Sequence, residues 1–420
     1  MDREITDKRA AAREHAYAIP IEDVNVADPY LFRDDTMWPY FERLRKEAPV
    51  HYQPKHEFGP YWSITRYNDV MAIDTNHAVF SSEPAITIAE PKEDFTLPMF
   101  IAMDPPRHDE QRKVVSPIVA GPNLEKLEPI IRERAAKILD SLAVGETFDW
   151  VDKVSIELTT MTLATLFDFP WEDRRKLTRW SDVATASPNS GLFSSPEAAD
   201  QERRQELYEC ADYFLRLWNE RVNAAPKGDL ISMLAHGEST KNMDRMEFLG
   251  NLVLLIVGGN DTTRNTITGS VVALNEFPEQ YDKLRADSAL IPGMVCETIR
   301  WQTPLAHMRR RAKQDFEFGG KTIRAGDKVI MWYVSGNRDE TVIERPNDFI
   351  IDRPNVRRHL SFGFGIHRCV GNRLAELQLK IIWEEIMKRF SNIEVMGEPR
   401  RVLSSFVKGY EYLPVKLTAA

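Results

Sequence analysis

One cysteine set among glycines constrains this chain more than any other stretch. Phe362-Gly-Phe-Gly-Ile-His-Arg-Cys369-Val-Gly371 runs straight into Asn372-Arg-Leu-Ala-Glu-Leu-Gln-Leu-Lys-Ile-Ile382, whose apolar positions fall at helical spacing. Cys369 is therefore expected at a helix N-terminus, where free N–H groups and the dipole favour a thiolate. Gly365 and Gly371 let the backbone turn tightly and a flat partner approach it. A sulfur held this way is suited to fill one coordination position of a metal and leave the opposite face open. A haem iron fits that description. The plainer alternative, a small buried hydrophobe, is the usual fate of a lone cysteine.

The rest of the chain offers little competition. Among 420 residues, 43% are hydrophobic and 28% charged, enough apolar material for a large core. The net charge of −9 argues against general nucleic-acid binding. Cys210, Cys296 and Cys369 are an odd set without a CxxC pair, so neither a disulfide framework nor a zinc site is expected. The charged start and the short apolar run Leu252–Val257 show neither a signal peptide nor a membrane span. A cytoplasmic monomer is the expectation.

No linker-like composition break or repeat divides the chain, so one domain over 1–420 is expected, with 1–35 partly irregular. A helical pattern starts at Trp38 and ends near Pro49; extended candidates follow at Val50–Tyr52 and Tyr61–Thr65. Five prolines within 82–106 mark a long loop. Helical patterns dominate 107–310, broken by a possible lid, Ser187–Pro196. Extended segments return at Phe316–Phe318, Lys321–Ile323 and Val329–Tyr333. The fold class expected is mainly α with small peripheral β-sheets.

Two further strings carry chemistry. Val257-Gly-Gly-Asn-Asp261-Thr262-Thr263 lies within a helical segment from Met243 to Phe277. Adjacent mid-helix glycines each cost about 1 kcal/mol relative to alanine, so something must offset them. Glycines clear space for a flat cofactor, and Asp261 with Thr262 offers an acid and a hydroxyl for proton delivery. Close helix packing with a solvated aspartate is the bland alternative. Glu297 and Arg300 stand at i and i+3 on one helix face, which in isolation is an ordinary ion pair.

Taken in order, these strings resemble the cytochrome P450 superfamily, soluble bacterial type, and imply its fold and a haem b cofactor. By that resemblance Cys369 is the iron's thiolate ligand, Phe362, Gly363 and Gly371 belong to its loop, and Thr262 and Asp261 are the oxygen-activation pair. Glu297, Arg300 and Arg353, the last in Pro346-Asn-Asp-Phe-Ile-Ile-Asp-Arg353, form the family's buried network. Met103-Asp-Pro-Pro-Arg-His108-Asp-Glu-Gln-Arg112 resembles its propionate-binding segment, joined by Arg310, His359 and His367. The neighbouring Arg309 and Arg311 leave the choice of Arg310 open by one position.

No flavin or nicotinamide signature is present, so a separate ferredoxin and an NAD(P)H-dependent ferredoxin reductase must supply electrons. Arg112, Lys113, Arg357, Arg358, Arg368 and Arg373 could form a basic docking face. The pocket candidates are Ile88, Phe100, Leu254, Val257, Gly258, Leu305 and Phe406, all but glycine apolar side chains; His307 and Arg309 are the polar groups near them. The whole chain is most similar to the medium-chain alkane and fatty-acid terminal (omega) hydroxylases, which implies oxidation of a terminal C–H bond in a linear aliphatic substrate. Asn260-Asp-Thr-Thr-Arg-Asn265 is shared with bacterial sterol side-chain hydroxylases, so a sterol or terpenoid side chain is the alternative. Two other readings are a haem sensor without oxygen chemistry and an enzyme driven by peroxide; the acid–threonine pair speaks against both.

Overall fold

The computed structural model describes residues 2–420, with side chains from Asp7 onward. Helices dominate, as the pattern implies, and the longest, Arg245–Glu276, runs through the largest apolar core. Its start is fixed by Asp244, whose side chain accepts from the N–H groups of Met246 and Glu247 at 2.9 Å each. Its end is fixed by Pro278, which opens the next helix, Pro278–Ala286. Around it pack Glu157–Phe167, Arg175–Thr185, Ala199–Val222, Ile291–Gln302 and the helix that follows the cysteine, Asn372–Met387.

The sheets lie to one side. Five strands pair in the order Val50–Gln53, Tyr61–Ile64, Lys328–Met331, Met308–Ala312, Phe80–Ser81, with one parallel pair, Tyr61–Ile64 beside Lys328–Met331. A three-stranded sheet joins Thr147–Asp149, Pro414–Ala419 and Phe390–Val395. Phe316–Phe318 and Lys321–Ile323 pair as a hairpin across Gly319 and Gly320, and Arg400–Arg401 pairs with Tyr410–Tyr412.

Of 1–35, expected to be partly irregular, the described residues are irregular only at 19–20, 24–28 and 34–35. Asp2–Ala18 is a helix, and Pro29–Arg33 forms another turn or so. The stretch before Pro20 is rich in Ala and Arg and free of glycine, a composition that favours helix. Arg43 donates through Nη1 to the carbonyls of Ala16 at 2.6 Å and Ile19 at 2.7 Å, filling acceptors the helix end leaves open.

Candidate active site

The cysteine loop is built on a buried aspartate. Asp74, on the helix Tyr67–Thr75, accepts from the Phe364 N–H at 2.8 Å, the Tyr333 hydroxyl at 2.8 Å and Arg310 Nη2 at 2.7 Å. Gly365 has φ +66°, and a Cβ there would come within 2.9 Å of the Asp74 carbonyl oxygen. Only glycine meets both demands. The Cys369 N–H donates to the Phe362 carbonyl at 2.8 Å, which closes the loop.

Cys369 lies three residues before the helix Asn372–Met387 rather than at its first turn. Cys369 is exposed to a large cavity that it helps to line. Burial pushes the free thiol's pKa up, against the Gly371 N–H and the charges of Arg112 and Arg368, which pull it down.

That cavity, about 1610 Å³, extends from Cys369 past the long helix and out beneath the proline-rich loop. Every candidate pocket residue lies in its wall: Ile88, Phe100, Leu254, Val257, Gly258, Leu305 and Phe406. The two mid-helix glycines do different work. A Cβ on Gly259 would meet Leu163 Cδ1 at 2.8 Å, so this glycine admits a neighbouring helix. A Cβ on Gly258 would meet nothing within 4 Å, so this one keeps the cavity clear.

Asp261 and Thr262 do not face the same point. Thr262 lines the cavity and rests its hydroxyl on the Gly258 carbonyl at 3.0 Å. Asp261 is fully buried on the side toward Arg175–Thr185, accepting from Ser181 Oγ at 2.8 Å and Thr185 Oγ1 at 3.1 Å. Successive helical residues point roughly 100° apart, which is why adjacent sequence positions part company here. Arg264 Nη2 bridges Asp261 at 3.0 Å and the half-buried Asp182 at 2.5 Å. Sequence reasoning missed Asp74, Thr185 and Asp182; the one signal for the first is that it directly follows the apolar run Val70–Ile73.

Glu297, Arg300 and Arg353 do meet. Arg300 donates twice to the Glu297 carboxylate at 2.8 Å, and Arg353 Nε lies 3.2 Å from both oxygens. The Ile350 N–H adds a bond at 2.9 Å, and the spare Arg300 N–H groups reach the carbonyls of Asn337, Pro346 and Asp348. Glu297 stays ionised because these donors and cations outweigh its burial.

The proposed anion cradle is partly assembled. Arg112, Arg310 and His367 line the cavity; His108 and His359 do not. Strand alternation separates the three arginines: Arg310 faces inward with Met308, whereas Arg309 and Arg311 both grip Glu90. His367 shares a hydrogen bond with Ser82 Oγ at 2.8 Å and leaves Nδ1 buried without a partner. His108 packs against it at a tilt, ring centroids 4.2 Å apart, with Nδ1 on Asp109 and Nε2 unpartnered. Neutral His108 is thus an acceptor there and would meet a carboxylate only as imidazolium. His359 packs on Phe362 near Arg300 with its Nδ1 buried and unpartnered, and burial drives its pKa down to about 4.

Among the described residues no cluster of three metal-ligating side chains occurs, so a metal at Cys369 must bring most of its own ligands. A haem does so. The cavity over Cys369, the clear space at Gly258 and Gly371, and the donors Arg112, Arg310 and His367 fit its plane and propionates. Comparison with known proteins agrees. The Cytochrome P450 family model matches residues 31–407. The solved structure of CYP153D17 from Sphingomonas sp. PAMC 26605 is 50% identical with a TM-score of 0.89, covering 95% of this chain and 100% of that one. Linalool 8-monooxygenase of Pseudomonas putida is 33% identical over 94% of this chain and 99% of its own length. The methyl-branched lipid omega-hydroxylase of Mycobacterium tuberculosis is 32% identical over 94% of this chain and 95% of its own. The chain belongs to the cytochrome P450 family and is a haem monooxygenase.

Proposed function

We propose that this monooxygenase hydroxylates the terminal carbon of linear aliphatic substrates, taking electrons from a separate ferredoxin and its reductase. The observation that carries the reading is the wall over Cys369, where Leu254, Val257, Leu305, Phe406 and Ile88 offer apolar surface to the substrate. An unactivated chain gains affinity there only by leaving water, so the wall must also decide which carbon reaches the reacting end. The methyl-branched lipid omega-hydroxylase among the relatives supports a chain-end position.

A bound haem supplies oxygen activation; the protein supplies the thiolate of Cys369 and the surrounding donors. Arg112, Arg310 and His367 would hold the propionates. Thr262 Oγ1 is the hydroxyl that holds a proton at the reacting end. Behind it, Asp261, Arg264 and Asp182 lead toward solvent, and burial together with the neighbouring Asp261 raises the pKa of Asp182 despite Arg264. Glu297, Arg300 and Arg353 would keep the cysteine loop in register with the helix Ile291–Gln302. Lys113, Arg368 and Arg373 are exposed and have no carboxylate partner among the described residues, which suits docking of an acidic ferredoxin.

Optical titration of the ferric protein tests the substrate class. Linear alkanes, alcohols and fatty acids are expected to shift the Soret band toward high spin, and a sterol is not. A shift with the sterol alone would favour the side-chain alternative, for which the size of the cavity is the supporting observation.

A further inference from the structure

Arg203 lies in the wall of the same cavity, and nothing in the chemistry above uses it. It stands on the helix Ala199–Val222 with Asp200 a turn before it and Leu207 a turn after it, and all three line the cavity. Spacings of three and four residues share one helix face, so the side chain is turned the same way as its cavity-lining neighbours. Nε donates to the Val183 carbonyl at 3.0 Å and Nη2 to the Ala186 carbonyl at 2.6 Å, at the end of the helix Arg175–Thr185. The guanidinium also lies over the Phe193 ring, 5.2 Å from its centroid. These contacts fix its plane. Nη1 has no partner among the described residues and is not sealed inside protein.

The charge of Arg203 is uncompensated as well. The carboxylates around it are engaged elsewhere: Asp200 with Lys92 at 3.1 Å and Arg204 at 3.0 Å, Glu206 with Arg179 at 2.6 Å, Asp182 with Arg264 at 2.5 Å. Glu202 accepts from the Ser194 N–H at 3.0 Å, and Glu197 accepts from Ser195. Burial lowers the pKa of Arg203, opposed only by the charge of Asp200. Two neutral carbonyls and a ring stabilise a guanidinium without neutralising it. A half-buried cation with free N–H groups on a cavity wall calls for an anion.

We propose that Arg203 is a specificity-determining residue: its Nη1 binds the carboxylate of a fatty acid whose methyl end lies toward Cys369. The inference rests on the aliphatic reading of the site and narrows it. Leu207, Leu254 and Val257 in the same wall give the alkyl chain its apolar surface. An alkane or an alkanol brings no charge to Nη1, so either would be held by that apolar surface alone.

Calorimetric titration of the haem-loaded protein with an alkanoate, its methyl ester and the 1-alkanol of matched chain length tests this. In the wild type the alkanoate should bind about tenfold more tightly than the ester, which keeps the chain and lacks the charge. In Arg203→Gln the two should agree within about twofold, with ester and alkanol affinities unchanged. Equal binding of alkanoate and ester by the wild type overturns the carboxylate site and leaves the aliphatic reading standing. So does a preference that survives in the variant. An ester affinity that falls as far as the alkanoate's also overturns it, since Arg203 would then act only by capping the neighbouring helix. Binding of none of the three overturns the aliphatic reading and the site with it. The wild-type comparison stands even if the variant does not fold.

Discussion

The two ends of the cavity are held by different physics. At the cysteine end the backbone is tied by buried polar networks: Asp74 ties the loop, Arg310 and Tyr333 together, and Glu297 gathers two arginines. At the far end the wall is apolar but for a few charged groups such as Arg203 and Asp200, and its loops are held by exposed ion pairs. Arg204 reaches Asp94 at 2.8 Å, Lys92 reaches Asp200 at 3.1 Å, and Phe95 meets Tyr208 edge-on. Buried networks fail all at once when a member is removed, whereas exposed pairs contribute little each and yield to salt. The cysteine end is therefore rigid by construction and the substrate end adjustable.

The contrast can be broken at the cysteine end most severely. Cys369→Ala should abolish hydroxylation and the thiolate-type Soret spectrum, read on purified protein. Glu297→Ala strands two buried arginines and should cost roughly 3–5 kcal/mol, seen as a lower denaturant midpoint and little haem-loaded protein. Normal haem content in that variant would remove the network from the account. Thr262→Ala loses a hydroxyl bonded only within its own helix, so stability should hold while reducing equivalents are spent without product.

Gly250 and Gly258 compare the two ends along one helix. A Cβ at Gly250 would lie 2.1 Å from the Pro98 carbonyl oxygen, so Gly250→Ala should lower the thermal midpoint by displacing the proline-rich loop. Gly258→Ala meets no atom and should keep or raise stability by up to about 1 kcal/mol, while weakening ligand binding because the methyl enters the cavity. The smallest effect belongs to the exposed pairs. Asp94→Asn should speed ligand release by no more than a few-fold in stopped flow, and added salt should mimic it in the wild type.

How much the sequence disclosed follows the same division. Phe316–Phe318 and Lys321–Ile323 stand where turn chemistry puts them, and the long helix differs from its expected bounds by two residues at the start and one at the end. The cysteine, the glycine pair and the Glu-Arg-Arg set were legible because close approach and buried charge restrict residue type. Asp74, Thr185 and Asp182 were not, since each acquires its part only through a partner far along the chain. Asp261 was legible as an acid but not in its direction, which depends on helix phase. The helix Asp2–Ala18 was hidden by its polarity, although its alanines and charged residues are good helix formers. The apolar wall is the least legible of all, because residues that line a cavity and residues that fill a core are of the same types.

The central claim, selection of the chain end, is tested most directly by product analysis. A reconstituted system of this protein, a ferredoxin and its reductase would be given a medium-chain n-alkane, and the positional alcohols separated. The account predicts the 1-alkanol as the dominant product, although its C–H bond is stronger than those of the adjacent methylenes. A product mixture led by the 2- and 3-alkanols would contradict it.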